Sequence, residues 1–289
     1  MRTLITGAGG QLATYLVEAF AGNDLFALSR RELDITDADQ IRDALERARP
    51  DVVINTAAFH NLPQCEKDVR KSFEVNARAP FLLGKACRDV GAKFVHVSTD
   101  FVFGNVVDPR PLTEDDLPAP LSVYAASKLA GEHLVRQATD SHLLIRTCGL
   151  YGARGSAGKK GNFVLTMLRL ARERGEVRVV NDQRCTPTYA KYAAMAITAL
   201  INAGCTGTFH AVSAGDCTWY EFAVEILQLA GVSAKAFPVT SEEFFDGVRR
   251  PPYSVLDCSK FERATGERLP SWKDGLRDYL TEIGEPRQV

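Results

Sequence analysis

The sequence predicts an α/β protein: a doubly wound parallel sheet with a smaller lobe interleaved through its C-terminal half. Two observations predict it. Through residues 1–150, short apolar runs rich in Val, Ile and Leu alternate with stretches of helical period, the pattern of successive βαβ units. At the first strand-to-helix junction stands Thr6-Gly7-Ala8-Gly9-Gly10-Gln11-Leu12-Ala13, a glycine turn that opens a helix directly after a strand.

Each element follows from its local pattern. Residues 2–6 read as a strand, 11–21 as a helix, 25–29 as a second strand and 38–47 as a helix. A third strand at 51–55, a long helix at 69–90, a strand at 94–98, a helix at 123–139 and a strand at 143–146 complete the units. Helices of that length between strands make right-handed crossovers, hence a parallel sheet covered on both faces. After residue 150 the texture changes. A basic loop at 153–161 leads into a helix at 162–174, a strand at 177–180, a helix at 190–202 and a strand at 207–212 expected to rejoin the main sheet. Segments 219–231, 241–245 and 272–283 read as a smaller, mostly helical lobe. The expected division is therefore a Rossmann-like nucleotide-binding domain at 1–150, with later strands near 177–212 returning to it, and a substrate-binding lobe at 151–289.

Composition removes several classes of function. A net charge of −1 offers no general attraction to nucleic acid or to a membrane surface. No apolar run approaches the roughly 20 residues that span a bilayer, and Thr3-Leu4-Ile5 is too short for a signal-peptide core. The seven cysteines form no Cys-x-x-Cys pair and the five histidines are dispersed, so neither a disulfide framework nor a metal site is indicated. The expected compartment is the cytoplasm.

The glycine turn points to a dinucleotide. Gly7 permits the tight turn, Gly10 lets the backbone approach a pyrophosphate, and Ala13 allows close helix–sheet packing. The helix opening at Gln11 and Leu12 offers backbone donors to the phosphates. The second strand ends in Ser29-Arg30-Arg31, where an acid would hold the ribose 2′-hydroxyl of NAD. A hydroxyl and two guanidiniums suit a 2′-phosphate instead, so NADPH is the expected cofactor, with NADH the alternative. Plain surface roles for Arg30 and Arg31 stay open. Asp34-Ile35 is placed to flank the adenine, unless Asp34 simply caps the helix beginning near Asp37.

The chemistry lies at Ser98-Thr99-Asp100-Phe101-Val102-Phe103-Gly104, followed 25 residues after Thr99 by Tyr124-Ala125-Ala126-Ser127-Lys128. A tyrosine and a lysine four apart share a helix face about one turn from each other. With a threonine hydroxyl ending the preceding strand, they form a proton-donating site for reducing a carbonyl or oxidising an alcohol.

Glycine turn, Asp34-Ile35, Asn55-Thr56-Ala57-Ala58, Ser98-Thr99-Asp100 and the Tyr124/Lys128 pair together resemble the extended short-chain dehydrogenase/reductases. More closely, the chain resembles the dTDP-4-dehydrorhamnose reductase family, through Lys128-Leu129-Ala130-Gly131-Glu132, Gly161-Asn162-Phe163-Val164, Trp219-Tyr220-Glu221-Phe222-Ala223, Arg250-Pro251 and Ser254-Val255-Leu256-Asp257. That resemblance implies NAD(P)H-dependent reduction of the 4-keto group of a nucleotide-linked 6-deoxyhexose. Thr99, Tyr124 and Lys128 would be catalytic, with Lys128 lowering the phenol's pKa and holding the nicotinamide ribose. Ala57 and Ala58 would line the cofactor. Phe59, His60, Asp100, Phe101, Asn162 and Arg250 would meet the substrate, and a homodimer is admitted. The related 4,6-dehydratases carry Thr-Asp-Glu, and Phe101 at the Glu position removes the acid pair that elimination needs. A 4-epimerase that retains NAD, and an NADP-binding regulatory subunit like that of methionine adenosyltransferase, are the rival readings.

Departures from the family pattern fall on the sugar side. Gly149 stands where the family usually has a covering tryptophan, His60 where it has a threonine, Pro63 where it has an aspartate and Cys185 where it has a glycine. The expectation is an opened pocket, in which Gly149→Trp would raise affinity for dTDP-4-keto-rhamnose or block a bulkier native substrate. Trp219 and Tyr220 are expected in the core.

Overall fold

The computed structural model describes residues 1–22, 24–104, 109–153 and 161–285. The first half runs β1 (Thr3–Thr6), α1 (Gln11–Ala19), β2 (Leu25–Leu28), α2 (Ala38–Ala48), β3 (Val52–Asn55), α3 (Leu62–Lys67), α4 (Val69–Phe73) and α5 (Ala79–Val90). It continues through β4 (Lys93–Thr99), α6 (Val123–Ala138) and β5 (His142–Thr147). The second half has α7 (Phe163–Arg174), β6 (Glu176–Val180), β7 (Arg184–Cys185), α8 (Ala190–Asn202), β8 (Gly207–His210) and β9 (Cys217–Thr218). The last elements are α9 (Trp219–Leu229), β10 (Lys235–Val239), α10 (Ser259–Thr265) and α11 (Trp272–Glu282).

Six parallel strands form the main sheet in the order β2-β1-β3-β4-β5-β8. Successive side chains of its strands face opposite layers. Ile5, Ile54, Val95 and Ile145 enter the core beneath α1 and α8, while Leu4, Val53, Phe94 and Leu144 enter the core beneath α2 and α5. Both faces are therefore apolar, which is why the strands read as unbroken hydrophobic runs. The chain leaves β1 toward β2 and returns past it to β3, so the loops after β1 and β3 diverge. A crevice opens there, at the carboxyl ends of the strands.

The predicted α/β class and parallel sheet are present, with differences that have local causes. Of the later strands expected to rejoin the sheet, β8 pairs with β5, but β6 pairs with β10 in a separate two-stranded sheet. The helix expected at 69–90 is interrupted: residues Glu74–Arg78 form a π-helical segment between α4 and α5. Pro80, in the first turn of α5, cannot donate to the preceding turn. Helix α3 was not expected, although Asn61 caps it by accepting from the Gln64 N–H and a proline lies in its first turn. Residues 241–245 form a turn rather than a helical element, and the two-residue β7 and β9 carry no period to read. Of the basic loop at 153–161, residues 154–160 lie outside the described residues. No helix among the described residues is long and apolar enough to cross a membrane.

Gly131 lets α6 lie against the π-helical segment. A Cβ there would stand 2.1 Å from the Asn76 carbonyl oxygen, which is backbone and cannot swing aside. Gly131→Ala should therefore destabilise the protein by about 1–3 kcal/mol, the usual range for overpacking. Gly9→Ala, which meets nothing within 4 Å, should stay within about 0.5 kcal/mol. Urea unfolding of the two variants measures the difference, and equal midpoints would contradict this packing.

Candidate active site

The glycine turn closes against the end of β3. Gly7 has φ +76, and a Cβ on it would come within 2.9 Å of the Ala57 backbone nitrogen and of Thr56 Oγ1. Gly10, the N-cap of α1, supplies no side-chain cap, so the first backbone N–H groups of this nine-residue helix stay available to an anion. A turn that only glycine can make at position 7, beneath an uncapped helix end, fits a dinucleotide pyrophosphate. Of the other residues expected there, Leu12 and Ile35 are buried in the two cores, and Gln11 Oε1 accepts from Asn162 Nδ2 at 3.3 Å. Ala57 donates its N–H to Asn55 Oδ1, and Ala58 turns its carbonyl to His60 Nδ1.

At the end of β2, Arg30 is exposed and 3.9 Å from Asp34. Asp34 Oδ1 is bound by the N–H and hydroxyl of Thr36, which hold its carboxyl below the usual range, and Asp37 caps α2. An acid does occupy this corner, contrary to the sequence reading. Glu32 folds back so that its Oε2 accepts from the Ser29 N–H at 2.8 Å. A 2′-phosphate would compete with Glu32 for Ser29.

Thr99 stands beside Tyr124 where β4 ends against the first turn of α6, and Lys128 lies one turn further along that helix. Ser122 caps that helix by accepting from the Ala125 N–H. Thr99 Oγ1 hydrogen-bonds Tyr124, donates to Asp100 Oδ1 at 3.1 Å and accepts from the Phe101 N–H. Desolvation pushes the Tyr124 phenol above its ordinary value, and the Thr99 bond opposes this only in part. Lys128 is 2% exposed, and its Nζ donates to the Val97 carbonyl at 2.6 Å. Burial lowers its pKa to about 8 against the pull of Glu132. Burial is the largest influence on the phenol and keeps the proton on Tyr124.

Several expected substrate contacts have structural work. Asp100 is buried, and its second oxygen accepts from the Ser254 hydroxyl at 2.6 Å, which ties the site to the C-terminal half. Asn162 caps α7, and its amide donates to the Gly152 carbonyl and the Tyr279 hydroxyl. Arg250 is clamped by both oxygens of Asp246 at 2.8 and 2.6 Å. By contrast, Phe101 packs edge-on against Tyr124 with ring centroids 6.1 Å apart, and Phe59 is fixed through its backbone by Asn76. Sequence reasoning missed Asn76 and Ser254 as organisers of the site. Ser254 stands in one of the segments that carry the family resemblance, whereas Asn76, between Glu74 and Arg78, carries no local signal. Among the described residues no cluster of His, Cys, Asp or Glu could hold a metal ion.

The expected open wall at Gly149 is closed. Its φ is +53, and a Cβ would lie 3.2 Å from Trp219 Cη2 and 3.2 Å from Pro187 Cα. Trp219, half-buried and tilted against Phe163, fills the space from a segment 70 residues further on.

A doubly wound sheet with a glycine-cradled helix end, and a Thr/Tyr/Lys constellation beside it, defines a nucleotide-dependent oxidoreductase of the extended short-chain dehydrogenase/reductase type. The chain belongs to the family described as RmlD substrate binding domain, whose model matches residues 1–284. It is 39% identical to the spore coat polysaccharide biosynthesis protein SpsK of Bacillus subtilis, over 97% of both chains. It is 37% identical to a dTDP-4-dehydrorhamnose reductase of Streptomyces griseus, over 96% of this chain and 92% of that one. Among solved structures it resembles the Bacillus anthracis dTDP-4-dehydrorhamnose reductase in complex with NADP, with a TM-score of 0.90, 36% identity and coverage of 97% and 99%.

Because the space beside Gly149 is occupied, Gly149→Trp should damage the fold rather than restore a contact. Strain at a left-handed position alone is worth about 1–3 kcal/mol, and displacement of Trp219 adds to it. A lowered unfolding midpoint without improved substrate affinity is the expected result; tighter substrate binding at unchanged stability would contradict it.

Proposed function

We propose that this protein reduces the 4-keto group of a nucleotide-linked 6-deoxyhexose, dTDP-4-dehydro-L-rhamnose or a close analogue, using NADPH. The observation that supports the reading is Thr99 beside Tyr124 at the carboxyl end of β4, with Lys128 one turn along α6 and bonded to the Val97 carbonyl of that strand. The uncapped N-terminus of α1 would hold the pyrophosphate, Ser29 and Arg30 the adenosine ribose end, and Lys128 the nicotinamide ribose. When bound, the cofactor supplies hydride to the carbonyl carbon. Tyr124 gives its proton to the oxygen that becomes the alcohol. Thr99 turns its hydroxyl from Asp100 to the same oxygen and stabilises charge as it develops.

The second acid that water elimination demands is missing. Phe101 presents a ring to Tyr124, and Asp100 is buried and bonded by Thr99 and Ser254. The geometry therefore favours carbonyl reduction over dehydration. Identities of 37–39% to a dTDP-4-dehydrorhamnose reductase and to a polysaccharide biosynthesis protein support the same substrate class.

NADPH oxidation against a panel of nucleotide-linked 4-keto-6-deoxy sugars tests the reading; no turnover with any of them would overturn it. With the active sugar, Tyr124→Phe should keep cofactor affinity near wild type and lower turnover by roughly 10² to 10⁴, as expected for loss of a positioned acid. Full turnover in that variant would remove Tyr124 from the chemistry. Arg30→Ala should raise the Kd for NADPH more than for NADH. Equal losses in fluorescence titrations would show that Arg30 does not read the 2′-phosphate.

A further inference from the structure

His96, on β4 and fully buried, stands between the cofactor cradle and Lys128. Its Nδ1 lies 3.1 Å from Asn55 Nδ2, and its Nε2 lies 3.4 Å from Lys128 Nζ. The direction of every proton along this row is forced from the far end. The Ala57 N–H can only donate, and it meets Asn55 Oδ1 at 3.1 Å. Asn55 therefore turns its oxygen toward the cradle, where the Thr6 hydroxyl also donates to it at 2.6 Å, and its amide nitrogen toward His96. An amide nitrogen is a donor alone, so His96 Nδ1 accepts and the ring proton sits on Nε2. Burial and the neighbouring Lys128 hold the imidazole neutral, well below its ordinary pKa. The Nε2–H then faces Lys128 Nζ. Against an ammonium this is donor opposing donor, whereas against a neutral amine it is a hydrogen bond.

We propose that His96 is a positioning residue that presents Nε2–H to Lys128 and favours its neutral amine. The row Ala57–Asn55–His96–Lys128 also ties the cofactor-binding turn to the catalytic helix. The other groups around Lys128 act differently. On its own helix, Glu132 favours the ammonium but is saturated by Ser98 of β4, Arg146 of β5 and Arg136. Tyr124, on the same helix, and Asp100, after β4, are both pushed toward their protonated, neutral forms by burial. On α3, Glu66 accepts from the Val123 N–H and Cys65 donates to the Phe59 carbonyl. In the π-helical segment Glu74 pairs with Arg78. The charged side chains of α4 and α5 (Arg70, Lys71, Lys85, Arg88, Asp89) are exposed. Among the described residues, only His96 offers Lys128 a proton aimed at its lone pair.

The catalytic meaning of this row rests on the carbonyl reduction proposed above, whereas tautomer and titration belong to the protein alone and need no substrate. Nitrogen-15 NMR of histidine-labelled wild-type protein should find His96 Nε2 protonated and Nδ1 not; the reverse tautomer overturns the proposal. The Lys128 midpoint is then read by NMR of Nζ-labelled lysine, with Lys128→Met assigning the signal. Loss of one hydrogen bond to the amine should raise it by about one pH unit in His96→Asn, which keeps the bond to Asn55 but cannot reach Nζ. Asn55→Asp should flip the tautomer, place a lone pair before the ammonium and raise the midpoint as well. In the His96→Asn background the same substitution should add less, because its route through the ring is gone. An unchanged or lower midpoint in whichever variants fold overturns the proposal. If turnover is present, the basic limb of the kcat profile should move upward by the same amount. If the NMR results hold and no keto-sugar is reduced, the reductase reading fails and the assignment to His96 stands.

Discussion

The structure depends on burying the charged face of α6 under the main sheet. Lys128 and Glu132, one turn apart, are 2% and 0% exposed. Charges removed from water must be paired and fully hydrogen-bonded, or they cost several kcal/mol each. Glu132 meets this demand with the Ser98 hydroxyl, a two-pronged Arg146 contact at 2.9 and 2.8 Å, and Arg136. Ser98 and Arg146 come from β4 and β5, while Arg136 lies on α6 itself, so the pairing of the strands and the seating of the helix are one requirement. Lys128, with the Val97 carbonyl and His96, is held less completely, and its pKa falls while that of Glu132 stays below the ordinary value. The difference leaves a stable anchor beside a titratable group.

That seating also needs room. Gly131 brings α6 onto the π-helical segment, where Asn76 donates to Ser127 of α6 and to the Phe59 carbonyl. A wider helix turn at Glu74–Arg78 accommodates the approach, in keeping with the frequent appearance of such bulges near functional sites. One glycine and one asparagine thereby connect the helix carrying Tyr124 with the loop carrying Phe59 and His60.

The two halves of the chain share their apolar cores, and at the site polar bonds join them as well. Ser254 reaches Asp100, and Asn162 reaches Gln11, Gly152 and Tyr279. Residues expected to touch substrate therefore hold the lobes in register around it. On the sugar side, Trp219 and Pro187 occupy the volume a side chain at position 149 would need. The wall is made from another stretch of the chain, so a missing side chain in a motif did not mean a missing surface.

The sequence by itself determined the class of fold, the glycine turn before α1 and the placing of Tyr124 and Lys128 on one helix after Thr99, because each rests on local periodicity or short spacing. Alternating apolar runs fix strands, glycines mark a turn that a side chain cannot make, and a four-residue separation fixes two groups on one helix face. The π-helical break, the β6–β10 sheet and the closing of Gly149 by Trp219 were decided only in three dimensions. Each depends on which distant segments touch, and no local period records that. The same holds for Glu32 folding back to Ser29, for Arg250 pairing with Asp246, and for His96. In a strand, histidine reads as one buried residue among others. Its part became visible when the sheet register set Asn55 beside it and helix packing brought Lys128 to its far nitrogen, since the direction of a hydrogen bond is a property of neighbours and not of sequence.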